Sequence, residues 1–183
     1  DYATPSNPQA DVDYYRRVMA LSTGGFKPNR LACTKDVWDA LKNHPLIIAR
    51  YVFTGPVPNL TTRQVADVLE LDDIIVCESV GNYGREAGQC VGRWIFGTGR
   101  ALLYYVPSSP SVTQPAAGYT FGWTGANHLG TTVAIERYRL ANDAKADRIV
   151  GNMHFDVNVV ETVLGVFFDT LVAPGVGPVE VVI

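Results

Sequence analysis

The stretch GGFKPNRLACTKDVWDALKNHP, Gly24 to Pro45, gives the clearest local order in this chain. Lys27-Pro28-Asn29 predicts a turn, and Arg30 to Cys33 predicts a short apolar strand. Thr34 stands where it can cap the helix that follows, and His44-Pro45 ends that helix. The inward face of the helix carries three apolar residues, Val37, Trp38 and Leu41. The stretch therefore predicts a turn, a strand, a capped helix and a stop.

A longer helix is predicted before this stretch. Asn7 can cap its free amide groups, and Pro8 suits the first helical position because its missing N–H has no partner there anyway. Gly24-Gly25 can supply the left-handed conformation that ends a helix. Five residues recur at helical spacing and predict the buried face of this helix: Val12, Tyr15, Val18, Met19 and Ser22.

Helices and strands continue to alternate after Pro45. An apolar piece, Leu46 to Tyr51, precedes a loop at Gly55 to Asn59, and Thr61 or Thr62 caps another short helix. The β-branched segment Ile74 to Val80 predicts a strand buried on both faces. We therefore expect helices over 8–23, 34–43 and 62–70 to flank a sheet that contains Arg30 to Cys33, Ile74 to Val80 and Ala101 to Val106.

The second half of the chain is richer in glycine and in short strands. Gly81 to Gly92 predicts a long loop, Trp94 to Phe96 a short strand, and Gly97-Thr98-Gly99 a hairpin turn. Thr132 to Leu140 and Arg148 to Asp156 predict a β-hairpin. Periodicity does not decide between strands and a short helix for 157–172, and the Pro/Gly-rich tail becomes strand-like only at its end.

Composition limits the class of protein. The chain has 183 residues, of which 47% are hydrophobic and 18% charged, and its net charge is −3. This is sufficient for one globular core, and no apolar run is long enough to predict a membrane span. No short window clusters Lys and Arg, so the basic patch typical of nucleic-acid binding is missing.

No motif predicts a catalytic centre, a metal site or a cofactor. The three histidines, His44, His128 and His154, lack the spacing of a metal site. The glycines at 97 and 99 lack the third glycine and the helix start that dinucleotide binding needs. Cys33, Cys77 and Cys90 do not form a CxxC pair, and we expect them to be reduced and mostly buried.

Two features predict contact surfaces. Mixed charges near the tip of the hairpin favour a solvated end, or salt-bridged contacts that fix partner and register. These residues are Glu136, Arg137, Arg139, Lys145, Asp147 and Arg148. In GYTFGW, Tyr119, Phe121 and Trp123 alternate and share one strand face, for which core packing is the first interpretation and an intersubunit face the second.

The order of these pieces resembles the major capsid proteins of tailed bacteriophages and prophages. The similarity is carried by SNPQADVDYYRRVMALSTG, KPNRLACTKDVWDALKNHPLI, TTRQVADVLELDDIIVCESV and RWIFGTGRALLYYVP, followed by GYTFGW, the hairpin and DVNVVETVLGVFFDTLV. It spans nearly the whole chain. The resemblance implies an α+β, Hong Kong 97-like fold with an axial domain near capsomer axes and a peripheral domain between capsomers.

The resemblance also implies boundaries and partners. We expect residues 1–125 to form most of the axial domain, 126–156 the return hairpin of the peripheral domain, and 157–183 a return to the axial domain. The N-terminal arm, extended loop and spine helix of the family have no counterpart here, so we expect a C-terminal fragment. Expected partners are copies of the protein in hexamers and pentamers, with portal, scaffold or decoration proteins also possible, and with no membrane.

The capsid hypothesis places the protein in a virion assembled in the bacterial cytoplasm around double-stranded DNA, with no enzymatic role. Its candidate intersubunit contacts are Tyr83, Arg85 and Glu86 in the glycine-rich loop, which would lie near the capsomer axis, and Arg137, Arg139, Lys145, Asp147 and Arg148 in the hairpin. One alternative is a small α/β enzyme or ligand-binding domain with its site at the glycine-rich loop after Val80. Another is a shell of the same fold that encloses protein cargo.

Overall fold

The computed structural model describes residues 7–51, 59–84, 91–111, 113–126, 132–139, 147–172 and 181–182. The chain divides into two compact units, a larger one of Asp1–Ala117 with Glu161–Ile183 and a smaller one of Gly118–Val160. Helices and strands both occur, which confirms the α+β class. The assignment of 1–125, 126–156 and 157–183 to axial and peripheral domains stays a prediction.

The first helix, α1 (Pro8–Thr23), has the predicted bounds. The Asn7 side chain accepts a hydrogen bond from the Ala10 N–H, and Gly24 ends the helix at φ 75°. Val12 and Met19 are buried as expected, but Val18 is 42% exposed. Ser22 is also exposed, so the predicted buried face is wrong for Val18 and Ser22.

The Gly24 to Pro45 stretch forms β1 (Arg30–Thr34) and α2 (Lys35–Lys42). Thr34 occupies the N-cap position of α2, but its hydroxyl makes no cap hydrogen bond. Instead it accepts from the backbone N–H of Arg100 at 3.3 Å, while the Thr34 N–H donates to the Arg100 carbonyl. The predicted side-chain cap is wrong because Thr34 is buried next to Arg100, whose backbone N–H supplies a donor.

His44 does more than end a helix. Its carbonyl accepts from the N–H groups of Ile47 and Ile48, and its Nδ1 accepts from the Leu46 N–H at 3.3 Å. These bonds begin a further helix, α3 (Pro45–Tyr51), in the segment that the sequence indicated only as apolar. His44 therefore acts as an acceptor at a helix start.

The larger unit is built on a four-stranded sheet. Its order is β10 (Gly165–Phe168), β5 (Ala101–Tyr104), β1, β2 (Asp73–Cys77), with β1 parallel to β2 and the other pairs antiparallel. The three predicted strands are confirmed as neighbours. However, β2 lies at the edge and Ile75 is 39% exposed, so the prediction that Ile74 to Val80 is one strand buried on both faces is wrong.

Helix α4 (Thr62–Val68) packs against this sheet. Thr61 and Gln64 form a reciprocal capping box, which confirms the predicted helix start. The main core lies between the helices and the sheet, and its most deeply buried members include Cys33, Val65, Ala66, Leu69, Ala101 and Leu103.

A smaller sheet in the same unit has the order β11 (Val181–Val182), β4 (Val91–Trp94), β3 (Val80–Asn82). Because β4 and β5 belong to different sheets, Gly97 to Gly99 is a link between sheets, and the predicted hairpin turn there is wrong. Gly97 and Gly99 have φ of 82° and 67°, in the region that favours glycine.

The smaller unit contains two antiparallel strand pairs. One joins β6 (Gly118–Gly122) to β9 (Phe155–Val159), and the other is the predicted hairpin, β7 (Val133–Arg139) with β8 (Asp147–Met153). A short 3-10 helix, Thr124–Ala126, follows β6. The undecided segment 157–172 resolves into the end of β9, a 3-10 helix at Thr162–Leu164, and β10.

Across the described ranges, none of the helices is both long enough and apolar enough to cross a membrane.

Candidate interaction surfaces

The described residues contain no group of three or more His, Cys, Asp and Glu that could hold a metal ion. Cys33 and Cys77 are free thiols, the first buried and the second half-buried, while Cys90 lies outside the described residues. Burial, with a smaller contribution from Cys77, raises the pKa of Cys33 to about 12. Cys33 is therefore a core residue that is poorly suited to act as a nucleophile.

An apolar pocket of about 140 Å³ lies in the larger unit, between α1, α2 and the end of β10. Ligand sites usually enclose about 300–1,000 Å³, so this pocket is small for an organic ligand. Asp11 and His44 are the only two of its lining residues that carry ionisable groups. None of its lining residues belongs to the described start of the glycine-rich loop, where the sequence predicted the alternative ligand site.

The charged side chains of the hairpin contact each other. Arg137 forms a short ion pair with Asp147, and the Arg148 guanidinium lies 5.9 Å from the centre of the Tyr138 ring. Arg139 is exposed near the tip and directly opposite Asp147. Three of the predicted contact residues are thus engaged within their own hairpin, although their role between subunits stays a prediction.

Of the other predicted contact residues, one is exposed and three lie outside the part of the chain that the structure describes. Tyr83 is 58% exposed just after β3. Arg85, Glu86 and Lys145 lie outside the described residues.

One face of the hairpin is apolar, which the sequence analysis missed. Cross-strand register places four exposed residues on it, Val133, Ile135, Ile149 and Met153. Ile135 and Ile149 are 72% and 68% exposed. The alternation of V-A-I along β7 is the signal that could have identified this face, because alternate strand residues point the same way.

The β6–β9 pair is also apolar and exposed. Phe121 and Trp123 are 53% and 67% exposed, so core packing, the first interpretation of GYTFGW, is wrong for these two residues. Tyr119 is half-buried and meets the Phe121 ring edge-on at 6.2 Å. The opposite face of the pair presents three further exposed residues, Phe155, Val157 and Val159.

A polar cleft lines one side of α1. Arg16 donates to the Glu70 carboxylate at 2.6 Å, and this hydrogen bond is the main cause that lowers the pKa of Glu70. Glu70 has φ 54°, a left-handed conformation at the end of α4 where glycine is usual. The ion pair joins α1 to the end of α4, so we interpret it as structural.

Comparison with known proteins identifies the family of the chain. The model of the family described as phage major capsid protein E matches residues 1–138. The chain therefore belongs to the phage major capsid protein E family, a family of structural proteins of the phage capsid.

A solved structure gives independent support for the fold. The chain is similar to a phage-related protein from Bordetella bronchiseptica RB50, with a TM-score of 0.72 and 24% identity. The match covers 93% of this chain and 53% of the Bordetella chain, so the chain spans about half the length of that neighbour. No curated protein matches the chain.

Proposed function

We propose that the chain forms part of the wall of an icosahedral phage head that encloses double-stranded DNA. The family match carries this proposal, because its members build the phage capsid. The net charge of −3 and the lack of a Lys/Arg cluster in the sequence are consistent with a wall that encloses DNA without strong electrostatic binding to it.

The exposed strand pairs of the smaller unit support assembly in particular. A two-stranded pair is marginally stable in water unless another surface covers its apolar face. Exposed apolar patches of this kind mark protein–protein contacts. In a shell, modest affinity at each contact suffices because many contacts act together.

The finer architecture is also proposed. The larger unit would form most of a Hong Kong 97-like axial domain, and the hairpin would belong to the peripheral domain. The 183 residues would be the C-terminal part of a longer capsid protein from a phage or prophage, whose remaining segments or neighbouring copies cover the hairpin. Assembly would occur in the bacterial cytoplasm as hexamers and pentamers, with portal, scaffold or decoration proteins as further partners.

The test is assembly of the full-length parent protein, followed by sedimentation and electron microscopy. Wild-type protein should form closed particles, and Ile135→Asp should reduce their yield at least tenfold while leaving the isolated chain folded, because Ile135 is 72% exposed. Glu136→Asp, on the other hairpin face, is the matched control and should assemble normally. Soluble monomers of wild-type protein under every assembly condition would contradict the proposal.

A further inference from the structure

The four residues after β10, which we call the 169–172 strap, lie beside the residues that precede β5. The Leu171 N–H donates to the Gly99 carbonyl at 2.9 Å, and Arg100 Nε donates to Asp169 Oδ1 at 3.1 Å. The Arg100 and Asp169 side chains are 45% and 60% exposed, so water screens their ion pair and it adds little stability. Within the described ranges, one backbone bond and one weak ion pair therefore hold the strap.

The backbone of the strap is strained at Thr170. Its φ of 62° lies in the left-handed region, which is uncommon outside glycine and an outlier for a β-branched residue. The strap also approaches Gly99 closely, because a Cβ added at Gly99 would lie 3.3 Å from the Val172 carbonyl oxygen. Strain of this kind persists only where the surrounding contacts hold it in place.

Packing under the strap is incomplete. Val172 packs against the main core, but Phe168, Leu171 and Val172 also line the apolar pocket of about 140 Å³. Leu171 is 49% exposed. Side chains that border a cavity lack contacts on that side, so moving them away costs less than moving them out of a close-packed core. Firmer packing ends at Phe168, whose ring meets the Tyr15 ring edge-on at 4.9 Å.

We propose that the 169–172 strap is a strained latch, which opens away from Gly99 as a unit while the four-stranded sheet stays folded. Opening lets Thr170 leave the left-handed region and removes Leu171 and Val172 from one wall of the apolar pocket. The strain favours the open form, whereas the two bonds and the packing of Val172 favour the closed form. The latch does not depend on the proposed capsid function, because every contact that defines it lies within one chain.

Hydrogen exchange resolved to single amides tests the latch in the 183-residue chain. Thr34 supplies a matched reference, because its N–H donates to the carbonyl of Arg100 at 3.0 Å, next to the Gly99 carbonyl that accepts from Leu171. Opening of the strap exposes the Leu171 amide but not the Thr34 amide. Protection of Leu171, corrected for intrinsic exchange rates, should therefore be lower than that of Thr34 by at least about a hundredfold. Equal protection of the two amides would contradict the latch.

Thr170→Gly distinguishes a strained latch from a segment that merely frays. Glycine adopts a φ of 62° without strain, so this variant should raise the protection of Leu171 at least about threefold. In a fraying segment, glycine would add freedom to the backbone and lower that protection. Thr170→Val keeps the β-branched shape and is the matched control, which should leave the protection of Leu171 within about twofold of wild type.

Arg100→Gln removes the ion pair and leaves the backbone bonds of Arg100 in place. It should lower the protection of Leu171 about threefold without changing that of Thr34. Arg63→Gln, at an exposed position on α4, is the control and should change neither amide. The latch is wrong if Thr170→Gly lowers or does not change the protection of Leu171, or if Arg100→Gln lowers the protection of Thr34 and Leu171 equally.

Discussion

At the scale of single residues, Asn29 explains why the turn before β1 has its particular sequence. Its side-chain amide donates to Asp72 Oδ2 and to the Val106 carbonyl, both at 2.9 Å, and its Oδ1 accepts from the Val106 N–H at 2.8 Å. These bonds connect the turn before β1 to Val106, which lies just after β5, and to Asp72, which lies just before β2. The sequence identified the turn but not these long-range partners.

Replacing Asn29 should therefore destabilise the larger unit. Asn29→Ala removes three hydrogen bonds, each with a net value of about 1 kcal/mol, and should lower the free energy of unfolding by about 2–4 kcal/mol in urea titration. Asn29→Asp should cost at least as much, because it loses both donors and places a carboxylate beside Asp72 and a carbonyl. Wild-type stability of Asn29→Asp would refute this role.

Cys33 should be unreactive in the folded protein. With its pKa raised to about 12, almost no thiolate exists at pH 8, and the side chain is fully buried. Thiol reagents at pH 8 should label Cys33 only after unfolding, as measured by mass spectrometry. Labelling of Cys33 in the native protein at the rate of a free thiol would contradict this.

The same pKa predicts a loss of stability in alkali. Because folding raises the pKa from its ordinary value of 9.0, the contribution of the neutral thiol is complete below pH 9 and is lost as the pH rises toward 12. Unfolding titrations across this window should show a smaller alkaline loss for Cys33→Ala than for wild type. Equal losses in the two proteins would assign the effect to other groups.

At the scale of elements, the helix starts could be predicted well because their signals are local. Asn7 and Thr61 each bond an amide three residues ahead, so a few residues contain the whole interaction. Thr34 has the same sequence signal but bonds Arg100, which is 66 residues away. The prediction failed there because a tertiary partner replaced the local one.

The capping box of α4 should contribute measurably to stability. Thr61→Ala removes the hydroxyl that accepts from the Gln64 N–H and should lower the free energy of unfolding by about 1 kcal/mol. Thr62→Ala, one position into the helix, is the control and should change stability by less than about 0.5 kcal/mol. Similar losses in both variants would show that the box is unimportant.

Strand exposure was harder to predict than strand position. The sequence located the hairpin and most of the central sheet, yet Ile75, Phe121 and Trp123 are more exposed than their apolar character indicates. Apolar residues on a strand predict that a face will be covered, but they do not say which surface covers it. Under the proposed capsid function, another copy would supply that covering surface.

The hairpin should be less stable than the central sheet in the isolated chain. Its two strands pair only with each other among the described residues, whereas β1 has a neighbour on each side. Hydrogen exchange of the isolated 183-residue chain should therefore be faster in 133–139 and 147–153 than in 30–34, by at least tenfold. Equal protection of the two regions would show that the hairpin needs no external support.

At the scale of the whole molecule, function lies in surfaces. The main core holds the larger unit together. The exposed apolar residues of the smaller unit are candidate contacts in the proposed assembly. The resemblance to the capsid family was carried by segments that form the helices and the central sheet, particularly Gly24 to Pro45. The exposed apolar faces of the hairpin and of the β6–β9 pair became recognisable only when the exposure of each side chain was known.

Electron microscopy of the assembled full-length protein would show whether the chain forms a capsid wall. We expect closed icosahedral particles in which another protein surface covers the apolar hairpin face of Ile135, Ile149 and Met153. Particles in which this face is open to solvent in every copy, or no particles at all under any assembly condition, would contradict it.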